Sequence, residues 1–493
     1  VPADTSTPAP YTGFDRMPVG GQWRTGAAGE PARDVNPYTG DTLTEIGKAD
    51  ASDVAAAYEA AEWAQPEWAR RPASERAEVF VRAARIMEDR REEIIDWLVA
   101  EAGAVRPRAE WEWLAVRAVM LEAASYPARV EGRILPAALI GGKENRVYRQ
   151  PVGTVAVISP WNFPLQLSNR SVAPALAVGN AVVLKPASDT PVTGGLLLAK
   201  IYEEAGLPEG LLNVVIGGGG DVGDPLVTDP RAAAVSFTGS TPVGRGIAEK
   251  AALKKLSLEL GGNGPLVVLD DADLDRAVDA ALFGSLFHQG QVCMATNRII
   301  AHADVHDELA DRVAARAGEL RCGDPADPGT DIGPVVNARQ LDAVRDKIDR
   351  AVSGGADLLL SGEPGGPTGQ VLPPHVLAGS NDVATAAEEV FGPVATIVRA
   401  DDEIHALQLA NDTEYGLSSA VFTEDVERGV AFALRVRAGM THVNDTTIND
   451  EPNTAFGGEK ASGVGRFGGA WAIEEFTTDH WVSVQHTRRD LPL

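Results

Sequence analysis

The chain has 493 residues, too many for one ordinary core, so two or three domains are expected. Hydrophobic residues make up 44% and charged residues 23%, the balance of a soluble globular protein, and 70 acidic against 44 basic side chains give a net charge of −26 that disfavours nucleic-acid binding. Two cysteines cannot build a disulfide framework, which fits a reducing, cytoplasmic setting, and no apolar run approaches the ~20 residues of a membrane span.

Val1–Pro10 is rich in Pro, Thr and Ala, lacks the basic flank and apolar core of a signal peptide, and reads as a mobile tail. From Asp50 to about Glu131 apolar positions recur at helical spacing, with Ser52-Asp53 as a first cap and Ser74, Ala77 and Phe80 opening a second helix. Glu131–Gln150 is punctuated by Gly132, Pro136, Gly141 and Gly142 and predicts a hairpin. Strand-like runs follow at 152–158, 181–184, 211–216 and 234–237, separated by helical stretches such as 190–205. Near-continuous apolar strands alternating with helices predict a parallel sheet covered on both faces. A second α/β series begins at Lys255, with strands at 265–269, 297–301 and 394–398. The tail strand, 481–485, is free to join the 131–150 hairpin or another subunit.

Several segments carry chemistry. Gly218–Gly223 matches G-x-G-x-x-G after a strand, but weakly, because consecutive glycines satisfy it easily and Asp221 and Asp224 suit a pyrophosphate poorly. Phe237-Thr238-Gly239-Ser240-Thr241 is the better phosphate loop, because it follows a strand and opens a helix. Lys185, at a strand end, fits a ribose or phosphate contact, or a solvated surface lysine. Asn162, in Ser-Pro-Trp-Asn-Phe-Pro, fits an oxyanion donor or plain turn chemistry. Glu259, between Leu258 and Leu260 and before Gly261-Gly262, fits a base of raised pKa or an ordinary strand-end glutamate. Cys293, in Gly290-Gln291-Val292-Cys293-Met294, fits a nucleophile if its thiolate is favoured, or a buried inert thiol; Cys322 keeps the second reading. No metal-ligand spacing is visible, so no metal is expected, and Asp270–Asp273 reads as a helix N-terminus.

Taken together, the order Pro-Trp-Asn-Phe, Lys-Pro, Phe-Thr-Gly-Ser-Thr, Leu-Glu-Leu-Gly-Gly, Gly-Gln-x-Cys, Glu-Glu-Val-Phe-Gly-Pro resembles the NAD(P)-dependent aldehyde dehydrogenase superfamily, from about Asn36 to about Phe476. The resemblance implies an α/β fold with a Rossmann-like dinucleotide domain (1–130 and 152–258), a catalytic domain (259–465) and a small β oligomerisation flap (131–151 and 477–493). It implies that Cys293 attacks the aldehyde, that Asn162 and the Cys293 amide hold the oxyanion, and that Glu259 activates the deacylating water. Lys185 would bind the adenosine ribose, Ser240 the pyrophosphate, and Glu389 and Phe391 the nicotinamide ribose and ring; Trp161 and Gly219 would line the adenine side. Ile158 and Gly239 complete the cofactor set. Ser188 stands where many NAD-preferring members carry a glutamate against the ribose hydroxyls, so NADP is expected to be tolerated or preferred. Phe467 stands where some members carry a helper glutamate after Gly465-Arg466.

The segments around Cys293, Val443–Pro452 and Arg466–Phe476 look most like bacterial benzaldehyde, vanillin and salicylaldehyde dehydrogenases. Phe163, Arg170, Ile448 and Phe456 fall on the implied substrate tunnel, Phe163 as an aromatic wall and Arg170 either bonding a ring hydroxyl or pairing with a surface carboxylate. The expected partner is a small-molecule aldehyde substrate, with no nucleic acid and no membrane, and the chain is expected to form a homodimer or homotetramer. An aliphatic or semialdehyde dehydrogenase is the alternative within the superfamily. A CoA-acylating member would lack Glu259's role, and a cysteine hydrolase would need no dinucleotide domain. A non-catalytic binding protein would be expected to lack Cys293, Glu259 and Asn162.

Overall fold

The computed structural model describes residues 8–491, so Val1–Thr7 of the expected tail lie outside it. Two short antiparallel pairs come first, β1 (Met17–Val19) with β2 (Gln22–Arg24) and β3 (Pro31–Val35) with β4 (Thr42–Gly47). Four helices follow: α1 (Ala51–Arg70), α2 (Ala73–Asp89), α3 (Arg91–Ala102) and α4 (Arg106–Ala123). The cap of α1 is Asp50 rather than Ser52-Asp53. Its carboxylate accepts the Ser52 and Asp53 amides at 2.7 and 3.3 Å, and Asp53 accepts the Asp50 amide at 3.1 Å. This is a reciprocal capping box closed by an aspartate.

The remaining strands are β5 (Arg133–Pro136), β6 (Lys143–Pro151), β7 (Thr154–Ile158), β8 (Ala181–Lys185), β9 (Leu212–Val214), β10 (Ala232–Thr238) and β11 (Lys255–Glu259). After them come β12 (Gly264–Val268), β13 (Thr296–His302), β14 (Asp357–Leu360), β15 (His375–Ala378), β16 (Val394–Ala400), β17 (Ser418–Phe422), β18 (Met440–Val443), β19 (Gly463–Val464) and β20 (Thr477–Gln485). Among them lie α5 (Pro164–Ala177), α6 (Leu197–Glu204), α7 (Asp224–Thr228), α8 (Thr241–Ala251) and α9 (Leu274–Leu286).

Three larger sheets organise the chain. The first has the order β19-β11-β10-β7-β8-β9, parallel except for β19. The second has the order β14-β15-β16-β13-β12-β17-β18, parallel except for β14. The third is β20-β6-β5, in which the tail strand joins the hairpin of its own chain along Thr477↔Pro151 to Gln485↔Lys143. The second sheet carries the expected two-faced burial. Val267, Leu269 and Ile300 enter one hydrophobic cluster, while Leu266, Val268 and Ile299 enter another on the opposite face.

The helix expected over 190–205 is α6 preceded by a wide turn at Val192–Leu196. The fully buried Glu101 of α3 accepts the Val192 and Thr193 amides there, each at 2.7 Å. Asp273 caps α9, accepting the Arg276 amide at 3.2 Å, while Asp270 and Asp271 pair with Arg428 at 2.7 and 3.0 Å. The acidic run is thus a helix start with one cationic partner. No helix among the described residues is long and apolar enough to cross a membrane.

In the first sheet β7 is central, with β8 and β9 on one side and β10 and β11 on the other. The chain reverses direction of winding between β7 and β10. Loops leaving the carboxyl ends of such strands part at that point and leave a crevice for a ligand.

Candidate active site

The loops that part there are Ser159–Phe163, after β7, and Gly239–Ser240, between β10 and α8. Glu259 ends β11 beside them. Gly261-Gly262-Asn263 then carries the chain to the second sheet, where Cys293 lies just before β13. A cavity of about 250 Å³ opens between these pieces, lined by Trp161, Asn162, Leu167, Thr238, Gly239, Ser240, Glu259, Leu260, Gly261, Cys293, Gln340, Lys347, Glu389 and Phe391, with Pro160 at its edge.

The approach of the two halves depends on glycine. A Cβ on Gly262 would sit 2.1 Å from the Cys293 carbonyl oxygen, and one on Gly261 would sit 2.6 Å from Glu389 Oε2. Before Cys293 the chain takes an unusual path, with His288, Gln289 and Gly290 at φ of 50°, 55° and 67°. Two of these are not glycine, and left-handed backbone at such residues is strained. Gln291 secures the far side, its side-chain oxygen accepting the Val336 amide at 3.0 Å and its backbone carbonyl accepting Asn162 Nδ2 at 2.8 Å.

Cys293 is half-buried, and burial pushes its thiol up to about 12, with the neighbouring Glu259 charge adding to the rise and Arg170 opposing it. The protein alone therefore keeps Cys293 protonated, contrary to the condition that its thiolate be favoured. Glu259 is buried, and among the described residues neither of its carboxylate oxygens has a hydrogen-bond partner. Burial lifts its carboxyl from 4.5 to about 8, and Arg170 and Arg466 restrain the rise. This agrees with the expectation of a raised pKa.

On the cofactor-side candidates, Ser240 caps α8 through its backbone, and its side chain makes no capping bond. Ser240 lines the cavity with its hydroxyl free of any capping bond, at the start of a helix whose second residue, Pro242, has no amide to offer. Glu389 Oε1 accepts the Gly262 amide at 2.9 Å, and burial lifts this carboxyl to about 7. The helix Ala338–Ser353 fixes the Glu389–Phe391 segment: Lys347 Nζ donates to the Glu389 carbonyl at 2.8 Å and Gln340 Nε2 to the Phe391 carbonyl at 2.8 Å. Trp161, expected with Gly219 on the adenine side, instead meets Phe391 edge-on, with ring centroids 5.4 Å apart, inside the same cavity as Cys293.

Ile158, Lys185, Ser188 and Gly219 lie outside the walls of this cavity. Ile158 and Lys185 are register partners at the ends of β7 and β8, and Lys185 is buried rather than a solvated surface lysine. Burial depresses its ammonium, which donates to the Pro186 carbonyl at 3.3 Å. A Cβ on Gly223 would lie 3.8 Å from Lys185 Cδ, so the turn Gly219–Gly223 leans on the lysine stem. Ser188 and Gly219 are exposed.

The substrate-side candidates Phe163, Arg170, Ile448 and Phe456 lie outside the walls of this cavity, Phe163 directly following Asn162 in the chain. Phe163 meets Trp111 edge-on at 5.5 Å and His288 at 5.3 Å, and tilts against Phe287 at 6.2 Å. Phe287 stacks on Phe283 at 4.6 Å, and Phe283 is partly exposed in a surface cavity of about 420 Å³ shared with Thr446. Arg170 is committed to Asp450, a buried carboxylate rather than a surface one, and its guanidinium lies 3.8 Å over the Phe456 ring. Ile448 and Phe456 are buried. Trp111, Phe283, Phe287, Asp450, Gln340 and Lys347 escaped the sequence reading. Trp111, Gln340 and Lys347 come from helices remote in sequence from the motifs they serve, while Phe283, Phe287 and Asp450 stand in or near segments singled out for Cys293 and for 443–452 but show their partners only in three dimensions.

The aldehyde dehydrogenase family model matches residues 23–482. A vanillin dehydrogenase of Corynebacterium glutamicum is 49% identical, over 97% of this chain and 100% of that protein. A benzaldehyde dehydrogenase of Bacillus subtilis is 46% identical, over 98% and 99%. Among solved structures, an NAD-dependent benzaldehyde dehydrogenase of C. glutamicum superposes with a TM-score of 0.89 at 46% identity, covering 97% of this chain and 98% of that one. A Pseudomonas enzyme, PnpE, in complex with nicotinamide adenine dinucleotide superposes with a TM-score of 0.94 at 34% identity, covering 97% and 99%. By extent of match, identity and shared fold, the chain belongs to the aldehyde dehydrogenase family, NAD(P)-dependent enzymes that oxidise aldehydes.

Proposed function

We propose that this enzyme oxidises aromatic aldehydes to carboxylic acids, with Cys293 as nucleophile, Asn162 as oxyanion donor and Glu259 as deacylating base. The observation that carries the reading is the convergence of these three side chains, from three separate segments, on one cavity. The Cys293 thiol gives up its proton to solvent as its sulfur adds to the carbonyl carbon, and the charge arriving on the carbonyl oxygen is met by the Asn162 amide and the Cys293 N–H. Loss of the former aldehyde hydrogen with its bonding pair, as hydride, would re-form the carbonyl and leave a thioester. Glu259 then takes a proton from water as the water attacks, and Cys293 leaves as thiolate.

The residues fit a dinucleotide: an uncommitted hydroxyl and helix start at Ser240, a carboxylate at Glu389 and a lysine at the end of β8. Bound NAD(P)+ supplies the hydride acceptor. Lys185 and Ser240 would hold its ribose and phosphate, Ile158, Trp161, Gly239 and Gly219 its walls, and Glu389 and Phe391 its nicotinamide half. Ser188 carries no negative charge, which supports use of NADP beside NAD. The three sheets support a division into a dinucleotide domain (1–130 and 152–258), a catalytic domain (259–465) and a flap (131–151 and 477–493), except that β19, within 259–465, pairs into the first sheet. The flap supports a homodimer or homotetramer, and two unpaired cysteines support a cytoplasmic setting.

Aromatic preference is supported by the Trp111–Phe163–Phe287–Phe283 series beside Asn162, which suits a planar ring, and by the vanillin and benzaldehyde dehydrogenases among the relatives. The test is the initial rate of NAD(P)H formation over a panel of aldehydes with each cofactor, alongside Cys293→Ala. Benzaldehyde- or vanillin-type substrates are expected to lead in kcat/KM and the variant to be silent. Higher kcat/KM for short aliphatic aldehydes refutes the substrate class, and undiminished oxidation by the variant refutes the mechanism.

A further inference from the structure

Behind the Asn162 loop lies an ion pair that none of the chemistry above uses. Arg108 and Glu112, one turn apart on α4, are both fully buried, with Arg108 Nη1 2.5 Å from Glu112 Oε2. Glu112 Oε1 accepts the backbone amides of Leu165 and Gln166 at 2.9 and 3.0 Å. These are first-turn donors of α5, whose capping residue Phe163 offers no side-chain acceptor. Arg108 Nη2 donates to the backbone carbonyl of Asn162, and its guanidinium lies 4.2 Å over the Phe163 ring. The pair therefore grips the chain just after the Asn162 side chain, at the Asn162 carbonyl and at the first turn of α5. That side chain in turn bonds the Gln291 carbonyl, two residues before Cys293.

Stability is a poor reason for such a pair. Removing two charges from water costs several kcal/mol per ion, and well-packed apolar residues of the same volume do as well or better. What an apolar pair cannot do is fix a backbone carbonyl and two amides in direction. We propose that the buried Arg108–Glu112 pair is a positioning device that aims the Asn162 amide at the oxyanion of the reacting aldehyde. The proposal rests on the reading of Asn162 as oxyanion donor. Displacing a donor by about 1 Å costs up to roughly 100-fold in rate, so the pair acts on the chemical step and leaves dinucleotide binding alone.

The experiment is a double-mutant cycle. Arg108→Met, Glu112→Gln and the double variant Arg108→Met/Glu112→Leu are each made in the native chain and in Asn162→Ala. Single-turnover NAD(P)H formation, KM for both substrates and thermal unfolding are measured for all. Glu112→Gln retains an acceptor for both α5 amides but leaves Arg108 without its anion, so the unfolding measurement establishes that each variant is folded at the assay temperature before its rate is read. In the native background each variant is expected to slow the single-turnover step by roughly 10- to 100-fold, with KM for NAD(P) unchanged and the double variant folded. In the Asn162→Ala background the same changes are expected to slow it no further. Equal fold-losses in both backgrounds, or a double apolar variant with the native rate, overturn the proposal. A native rate in Asn162→Ala alone overturns instead the assignment of Asn162.

Discussion

Replacing Glu259 by Gln separates two consequences of one buried carboxylate. Its carboxyl stands at about 8 in the folded protein against 4.5 for the free group. At ~1.4 kcal/mol per pH unit this difference is about 5 kcal/mol. The folded state binds the extra proton, so this stability is fully present below pH 4.5 and is lost as pH rises to 8. Glutamine is neutral throughout and loses nothing. Unfolding entropy of about 2.1 cal/mol/K per residue, over 493 residues, is about 1 kcal/mol/K. Glu259→Gln is therefore expected to raise Tm over the native enzyme by about 5 °C at pH 9, with the gain vanishing near pH 5. Scanning fluorimetry at half-unit pH steps measures it. The same variant should lose about 10²- to 10⁴-fold in steady-state turnover while keeping its first-turnover NAD(P)H signal. A Tm difference independent of pH, or a variant less stable than the native chain at pH 9, refutes the argument that Glu259 is held against its charge.

Native turnover, where deacylation limits it, should climb nearly tenfold per pH unit below 8 and level off above, because the base works only deprotonated; a pH–kcat profile flat from 6 to 9 contradicts this. Gly262→Ala should cost about 1–3 kcal/mol of stability and at least roughly 100-fold in activity, since its Cβ falls 2.1 Å from the Cys293 carbonyl; unfolding and kcat measured together decide it. Ser188→Glu should shift the ratio of kcat/KM for NADP to that for NAD downward by about tenfold or more, the effect of a carboxylate about 4 Å from a 2′-phosphate in a partly screened site. An unchanged ratio places the adenosine 2′ position away from Ser188.

The features legible in the chain were those written locally. Apolar β runs and the glycines after Glu259 each depend on a few neighbouring residues, and so does the sparse, glycine-flanked Cys293. What escaped depends on pairs far apart in sequence. Arg170 was recognised, but its partner Asp450 lies 280 residues on, so whether it was free or paired could not be read. The wide turn at Val192–Leu196 is decided by Glu101, which reaches in from α3, whereas the cap at Asp50 is local, closed by Asp53 three residues on. The thiol's raised pKa follows from enclosure by both sheets, a property of the assembled cavity that no segment carries alone.

The third sheet has a consequence for how the enzyme is made. β6 pairs along its whole length with β20, and bonded side chains on the two strands, such as Arg149 and Asp479, are 330 residues apart. At a synthesis rate of about 5–20 residues per second, β6 leaves the ribosome roughly 17–66 seconds before its partner exists. During that interval it is an open edge strand beside exposed Ile134 and Leu135, the kind of surface that recruits other chains. Its flanks are guarded by charge, with Lys143, Glu144, Arg146 and Arg149 spaced along it. The nascent protein is most vulnerable to aggregation at this hairpin, and chains truncated before Thr477 carry that vulnerability permanently.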